Sequence, residues 1–387
     1  MTQPFKHQIG IIGGGQLGKM LIESGLPLNV EYNILEASTD CPSARYAKTF
    51  IQGSLMDDNK IKELAAISDV ITYEIEHVNV QTLIELEQMG KTVIPSASIL
   101  SIIQDKGKQK QFYAQHGLAT SSFEVLNVDA ARSANLDSYP GEKIVVKSCK
   151  GGYDGKGVAI LTKEAVQNGD AESIFQGEVV LEAFVEDAIE LAVIVARNAQ
   201  GEIRSYPVVE MVFDPEINLV DYLFAPSKMP ETVQNKATEL ALNAISAMDG
   251  VGIFAVELFV NKAGQCLINE IAPRPHNSGH HTIEACYTSQ YEQLNRIMLG
   301  LPLGETDLVS PAVMTNILGS KDLTGDYRLD GLNALMSTQG AYLHWYNKTS
   351  SKPGRKMGHF TVLDESLESA VAKSQNLRDQ LKTVKPD

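Results

Sequence analysis

Two acids, Glu257 and Glu270, stand in a segment that reads VGIFAVELFVNKAGQCLINEIA. β-Branched and apolar residues on either side of Asn261, Lys262, Ala263 and Gly264 predict two strands joined as an antiparallel hairpin. With an even-numbered loop, Glu257 lies opposite Ile268 or Glu270, and in either register the two carboxylates point to one face. Like charges facing each other on a sheet cost a few tenths to about 1 kcal/mol, and more once desolvated, unless a cation lies between them. Hard oxygen ligands suit Mg2+, and magnesium held by few protein carboxylates keeps its other positions for water and substrate phosphates. The pair therefore points to a nucleoside triphosphate. The competing reading is two solvated acids, but Ile268, Ile271 and Ala272 leave little of the second strand facing water. Beyond that strand comes Arg274, whose guanidinium fork matches a planar, carboxylate-like anion, with His276 beside it.

A second segment, KIVVKSCKGGYDGKGVAIL, asks for the same ligand. Lys147 ends a strand, and Gly151, Gly152, Gly155 and Gly157 form a loop that lets backbone N–H groups approach phosphate, with Lys156 adding charge. It is not a Walker loop, because the glycines lead into a strand at residues 158–161 and not into a helix. Further on, Glu182, Ala183, Phe184 and Val185 leave one apolar strand and Glu190 begins another. Such a link offers backbone groups to adenine and a carboxylate to ribose hydroxyls. At the N-terminus, Gly13, Gly15 and Gly18 have G-x-G-x-x-G spacing between strand and helix, with Glu36 ending the next strand, which matches a dinucleotide fingerprint. A dehydrogenase reading, however, leaves the carboxylate pair, the second glycine loop and Arg274 without a task, whereas phosphoryl transfer uses all of them.

In this order the motifs resemble those of the ATP-grasp ligases and, among them, the N5-carboxyaminoimidazole ribonucleotide synthases of purine biosynthesis. The resemblance runs through GGGQLG at residues 13–18, YEIEHV at 73–78, the lysine of IIQDKGKQK, GGYDGKG, LEAFV, NEIAPRPHNSGH and KPGRKMGH at 352–359. It implies an ATP-grasp fold of mixed α/β and α+β character, with a Rossmann-like first lobe and a small β-rich last one. It further implies ATP contacts from Lys106, Lys147, Gly152, Tyr153, Asp154, Gly155, Lys156, Gly157, Glu182, Ala183, Phe184, Val185, Glu190, Asn269 and Glu270. Phe213 joins this set at a position where family members often carry histidine. Magnesium falls to Glu257 and Glu270, and catalytic roles to Arg274, His276, Lys147 and Asp154. Aminoimidazole ribonucleotide falls to Gln16, Leu17, Glu76, Tyr153, Asp154, Arg274, Asn277, Ser278, Lys348 and Arg355. The implied enzyme is a ligase and a homodimer that takes bicarbonate as co-substrate. Rival readings are an ATP-grasp carboxylase or formyltransferase with another acceptor, and a nucleotide sensor without turnover.

The elements that must hold these groups follow from the rest of the chain. Of 387 residues 43% are hydrophobic, enough for several packed lobes, and no segment is apolar enough to span a bilayer. The net charge of −15 disfavours nucleic acid and acidic membranes. The start lacks a secretory pattern, and Cys41, Cys149, Cys266 and Cys286 form no paired motif, so reduced thiols and a cytoplasmic location are expected. Strands near 9–13, 31–36, 70–74 and 92–95 alternate with helices at 16–24 and 80–89, which predicts a parallel α/β lobe over 1–104. An α+β region over 105–301 carries a helix at 108–116 and a long one at 231–248. A β-rich segment over 302–387 has strands at 341–346 and 359–363 and a terminal helix.

Overall fold

The computed structural model describes residues 7–151, 157–214 and 219–386. The first lobe is a sheet of five parallel strands in the spatial order Thr49–Gln52, Glu31–Glu36, Gln8–Ile12, Val70–Tyr73, Thr92–Val93. Both faces of its central strands are apolar and covered, as a parallel sheet requires, with Ile9, Ile11, Ile12, Ile34 and Leu35 fully buried. Among the elements not foreseen are the strand Thr49–Gln52 and the helix Asp58–Ala66. The strand is short and half polar, whereas the helix has a local signature in Asp57, whose side chain accepts from Asn59 N and Lys60 N.

The N-terminal glycine loop is filled by the protein itself. Glu74, at the end of the Val70–Tyr73 strand, accepts from Gly15 N and, at 2.6 Å, from Gly18 N, while Glu36 accepts from Gly14 N at 3.0 Å. These N–H groups are the ones a dinucleotide pyrophosphate would use. Gly13 has φ +104°, and a Cβ there would lie 2.6 Å from Glu74 Cγ, so the glycines admit a carboxylate from within the chain.

Besides a two-stranded pair, Arg328–Asp330 with Lys382–Val384, the rest of the chain builds two larger antiparallel sheets. One has the order Phe123–Asn127, Glu178–Ala183, Lys143–Ser148, Val158–Thr162. The larger runs Cys266–Ala272, Gly252–Val260, Ile189–Arg197, Val209–Asp214, Leu219–Ala225, Ala312–Leu318, Lys356–Leu363, Ala341–Trp345. The strands of the last segment thus continue the central sheet, because Leu219–Ala225 pairs with Ala312–Leu318. The helix Glu231–Ala247 turns Val233, Ala237, Ala241, Ala244 and Ile245 onto the back of the hairpin, a stripe at the spacing of one helical face. Cys41, Cys149, Cys266 and Cys286 are free thiols, and among the described residues no helix is long and apolar enough to cross a membrane.

Removal of the internal anion tests the account of the glycine loop. Glu74→Ala leaves Gly15 N and Gly18 N without their acceptor in a buried site and is expected to lower stability by about 2–3 kcal/mol. Urea denaturation measures it, and a loss below about 0.5 kcal/mol contradicts the assignment.

Candidate active site

The hairpin register is the first fact of the site. Its strands end at Val260 and restart at Cys266, so the loop is five residues long and not the four expected from the sequence. An unbroken ladder from that loop (Val260↔Cys266, Leu258↔Ile268) would put Glu257 opposite Asn269 and turn Glu270 to the other face. A bulge corrects this. The register shifts between Leu258 and Glu257, leaving Asn269 as the extra residue and Glu257 directly opposite Glu270. Asn269 is also drawn into the cleft, where its Oδ1 accepts from Lys147 Nζ at 2.9 Å.

The charges of the pair are divided by their neighbours. Lys106 Nζ contacts Glu270 Oε2, and its positive charge holds the Glu270 carboxyl far below the usual carboxylate range. Glu257 is pushed well up, first by burial and then by the Glu270 and Glu190 charges, and His276 Nε2 stands 3.5 Å from its Oε1. Glu190 is raised to about 7, mainly by burial, with Glu270 adding and Lys147 opposing.

Lys106 opens the helix Lys106–Gln115, which Asp105 caps by accepting from Lys108 N at 3.1 Å. Lys106 N donates to Cys149 O at 2.8 Å, which ties the helix start to the segment after Lys147. One face of this helix lines the cleft. Gln109 Oε1 accepts from Ile271 N at 3.2 Å, and Lys110 Nζ contacts Glu182 Oε1. Glu182 Oε2 in turn holds Lys147 Nζ at 2.7 Å, and Ser121 Oγ donates to Oε1. Burial raises the Glu182 carboxyl, but Lys147 and Lys110 outweigh it and hold the group at about 2. Lys110 is lowered to about 8 by burial, with Glu182 opposing and Lys147 adding to the fall.

Arg274 Nη2 meets Glu76 Oε1 at 2.7 Å, which joins the first lobe to the end of the hairpin. His276 Nδ1 and Ser278 Oγ lie 2.9 Å apart, and Ser278 is fully buried. Asn277 donates to Asn316 Oδ1 at 2.8 Å and accepts from Asn316 Nδ2 at 3.0 Å, which anchors the turn to the last segment. Gln16 is half-buried at the start of the helix Gln16–Gly25, whereas the Leu17 side chain belongs to the apolar core, so only its backbone can meet a ligand. Phe213 packs at the edge of an apolar cluster with Met211 and Val220 and offers no polar atom. Ala183 ends its strand buried, and the Phe184 ring lies 5.2 Å from Lys143 Nζ. Lys348 and Arg355 share the loop between Ala341–Trp345 and Lys356–Leu363. There Lys348 Nζ lies 5.6 Å from the Tyr346 ring centroid and Arg355 Nη1 donates to Ser350 O at 2.7 Å. Gly152, Tyr153, Asp154, Gly155 and Lys156 lie outside the described residues, and the flanking Gly151 and Gly157 both have positive φ, +80° and +76°.

Lys110, Gln109, Thr120 and Ser121 were missed from the sequence. The available signal was spacing, since Gln109 and Lys110 stand three and four residues after Lys106 and so share its helical face.

Comparison with known proteins agrees with this arrangement. Family models match in chain order: the ribonucleotide synthetase preATP-grasp domain at residues 6–104, the ATP-grasp domain at 111–291 and the phosphoribosylaminoimidazole carboxylase C-terminal domain at 312–373. Fold and cleft therefore define an ATP-grasp enzyme, an ATP-dependent ligase. The crystal structure of N5-carboxyaminoimidazole ribonucleotide synthetase from Thermotoga maritima superposes with a TM-score of 0.89 at 41% identity, covering 98% of this chain and 100% of that one. The Bacillus subtilis N5-carboxyaminoimidazole ribonucleotide synthase is 36% identical over 92% of this chain and 91% of its own. An Aspergillus clavatus N5-carboxyaminoimidazole synthase, solved with ADP and 5-aminoimidazole ribonucleotide, has a TM-score of 0.87 at 29% identity, covering 98% and 99%. The chain belongs to the N5-carboxyaminoimidazole ribonucleotide synthase family. It spans about two thirds of the length of the phosphoribosylaminoimidazole carboxylases it also matches, such as that of Ogataea methanolica (37% identical, 67% of its length).

The Glu182 cluster yields a stability prediction. Glu182→Gln leaves two buried lysines without their carboxylate and should cost about 3–5 kcal/mol in urea denaturation. Because the folded-state value of Glu182 lies at about 2, below its ordinary 4.5, its contribution is complete above about pH 4.5 and is lost as the pH falls toward 2. The gap between wild type and variant should narrow over that window. A gap independent of pH there refutes the ionic account.

Proposed function

We propose that this enzyme carboxylates 5-aminoimidazole ribonucleotide to N5-carboxyaminoimidazole ribonucleotide, with ATP and bicarbonate consumed and ADP and phosphate released, in purine biosynthesis. The observation that carries the reading is the match of all three domain models in order, the last of which bears the name of phosphoribosylaminoimidazole carboxylase. It separates this chain from ATP-grasp carboxylases and formyltransferases with other acceptors.

The residues of the cleft suit each charge that the reaction develops. A bicarbonate oxygen attacks the γ-phosphorus of ATP and ADP leaves, giving carboxyphosphate. Lys106 and Lys147 offset the charge spread over the transferred group, as positioned cations do in phosphoryl transfer. Two carboxylates held face to face, one of them pushed up by burial and by the other's charge, fit a divalent cation. Glu257 and Glu270 would hold Mg2+, which when bound supplies charge neutralisation at the phosphates. Arg274 and His276, at the mouth of the hairpin, orient the bicarbonate. The exocyclic amine of the ribonucleotide then attacks the carboxyl carbon, phosphate leaves, and the amine proton departs with it. Carboxyphosphate is short-lived in water, so the site must exclude solvent while it persists.

Lys348 and Arg355 receive the ribonucleotide phosphate, with Gln16, Glu76, Asn277 and Ser278 around ring and ribose. Phe213 supplies the nucleotide with apolar contact alone. We further propose a cytoplasmic homodimer, the former supported by the free thiols and both by the family resemblance. Light scattering at micromolar concentration tests the dimer, and a monomeric mass excludes it.

ADP release with ATP, Mg2+ and bicarbonate, with and without the ribonucleotide, tests the activity. Strong stimulation by the ribonucleotide, lost by at least about a hundredfold in Glu270→Gln, is expected. Turnover driven by formate, or by another acceptor, would sink the substrate and keep the ATP-grasp chemistry. Arg355→Ala should raise the KM for the ribonucleotide about tenfold or more while leaving the KM for ATP within twofold. Equal effects on both would remove Arg355 from the phosphate site.

A further inference from the structure

Lys110 is a buried cation in the wall of the cleft to which the reaction above gives no role. Its side chain is 3% exposed, and that of Glu182, which it contacts, is 2% exposed. Its ammonium lies 2.6 Å from Thr120 Oγ1 and 3.2 Å from Ser121 Oγ, so three acceptors take its three donors. Thr120 Oγ1 donates in turn to Ile268 O at 2.6 Å, in the hairpin strand that carries Asn269 and Glu270. Lys110 therefore joins both walls of the cleft, the four-stranded sheet through Glu182 and the carboxylate hairpin through Thr120.

A stabilising ion pair needs one cation, and Glu182 already has Lys147 at 2.7 Å. A second lysine on the same carboxylate leaves the triad with a charge of two minus one, or +1, in a place nearly closed to solvent. Burying an uncompensated charge is costly, and apolar residues of similar volume usually serve stability as well or better. Glu190 and Glu270 lie within electrostatic reach of Lys147 and meet part of this excess, and an incoming anion meets the rest. Lys106, Gln109, Lys110, Lys147, Asn269 and Glu270 line one small cavity, so the triad faces the place where the reading above puts the nucleotide phosphates.

We propose that Lys110 is a positioning residue for nucleotide binding: it neutralises one oxygen of Glu182 and so fixes the other oxygen where it holds the Lys147 ammonium against the phosphates. The proposal rests on the functional reading only in assigning Lys147 to the nucleotide. With its three donors taken by Thr120, Ser121 and Glu182, Lys110 acts through Glu182 and Lys147.

A double-mutant cycle on the full-length protein tests it. Affinity for Mg2+–ADP is measured by calorimetry for wild type, Lys110→Met, Lys147→Met and the double variant, beside KM values for ATP and the ribonucleotide. Each single variant should weaken ADP binding and raise the KM for ATP about tenfold or more, with the KM for the ribonucleotide within twofold. The double variant should be no worse than Lys147→Met alone, and Lys110→Arg should recover most of the affinity. Additive losses overturn the proposal, since they mean that Lys110 does not act through Lys147. So does a Lys110→Met protein that melts earlier and binds ADP normally, which is the signature of a merely structural residue. Should Lys110→Met not fold, Lys110→Gln, which keeps a donor to Glu182 without the charge, decides by the same cycle. Because the cycle is read on ADP affinity, it judges Lys110 even if the carboxylation assay fails.

Discussion

Two carboxylates at directly opposed positions of one hairpin are the constraint around which the rest of the structure is arranged. Glu257 and Glu270 cannot both carry their charge in a buried cleft without a cation near each, and neither can move away, because the ladder on both sides fixes the register. The protein's own side chains treat the two unequally. Lys106 secures the Glu270 charge, while burial and the Glu270 charge leave Glu257 reluctant to ionise. A site that holds one carboxylate ready and a second waiting for positive charge is suited to a metal that arrives with its own phosphates, since the incoming cation removes the repulsion that opposed the second ionisation.

Two glycine-rich segments in one chain invite the same interpretation, and the charges of their described neighbours distinguish them. The first has its N–H groups committed to Glu74 and Glu36, so its anion is built in and its role is to fix the strand-to-helix turn of the first lobe. Around Lys147 the balance is reversed, because Lys147 and Lys110 share the single carboxylate of Glu182. Where a protein satisfies its own phosphate-binding groups, phosphate has no reason to enter, and where it leaves positive charge in excess, phosphate has one. The dinucleotide pattern at the N-terminus is thus answered by side-chain chemistry, with the spacing of its glycines unchanged.

Much of this was legible in the sequence wherever a residue's identity was enough. The paired acids, Lys147, Arg274 and the parallel first lobe were read from residue type and local spacing and Lys106 from the family resemblance, and the structure brings Lys106, Lys147, Glu182, Asn269, Glu257 and Glu270 into one cleft. The hairpin geometry was legible in outcome but not in cause: a four-residue turn was expected, whereas a five-residue loop and a bulge at Asn269 together restore the same facing pair. A bulge has no short-range signature in a strand such as CLINEIA, because it is selected by what its side chains meet across the cleft. Lys110 was hidden for the same reason. In KGKQKQFYAQ every polar residue looks solvated, and only the packing of this helix face against Glu182 and Ile271 shows which of them are buried. The continuation of the central sheet into the last segment depends on the pairing of residues about ninety positions apart, such as Tyr222 with Thr315, which local pattern does not encode.

That continuation holds the third segment, with Lys348 and Arg355 on one of its loops, beside the site. Lys19 Nζ donates to Trp345 O at 2.7 Å and Asn316 exchanges hydrogen bonds with Asn277, so the segment is tied to both the first lobe and the end of the hairpin. Between these ties lie stacked rings: His280 and His359 with centroids 4.5 Å apart, and His359 and His344 at the same separation. Burial, reinforced by the neighbouring histidines, drives His280 and His359 well below the ordinary histidine value, so both are neutral at physiological pH. Their hydrogen bonds run to phenols, His280 Nδ1 to Tyr291 at 3.1 Å and His359 Nδ1 to Tyr346 at 2.7 Å, groups that burial likewise keeps uncharged. These neutral imidazoles and phenols, flanked by Lys19 and by the contact of His344 with Glu284 at 2.6 Å, give the directional hydrogen bonds that fix the segment's placement.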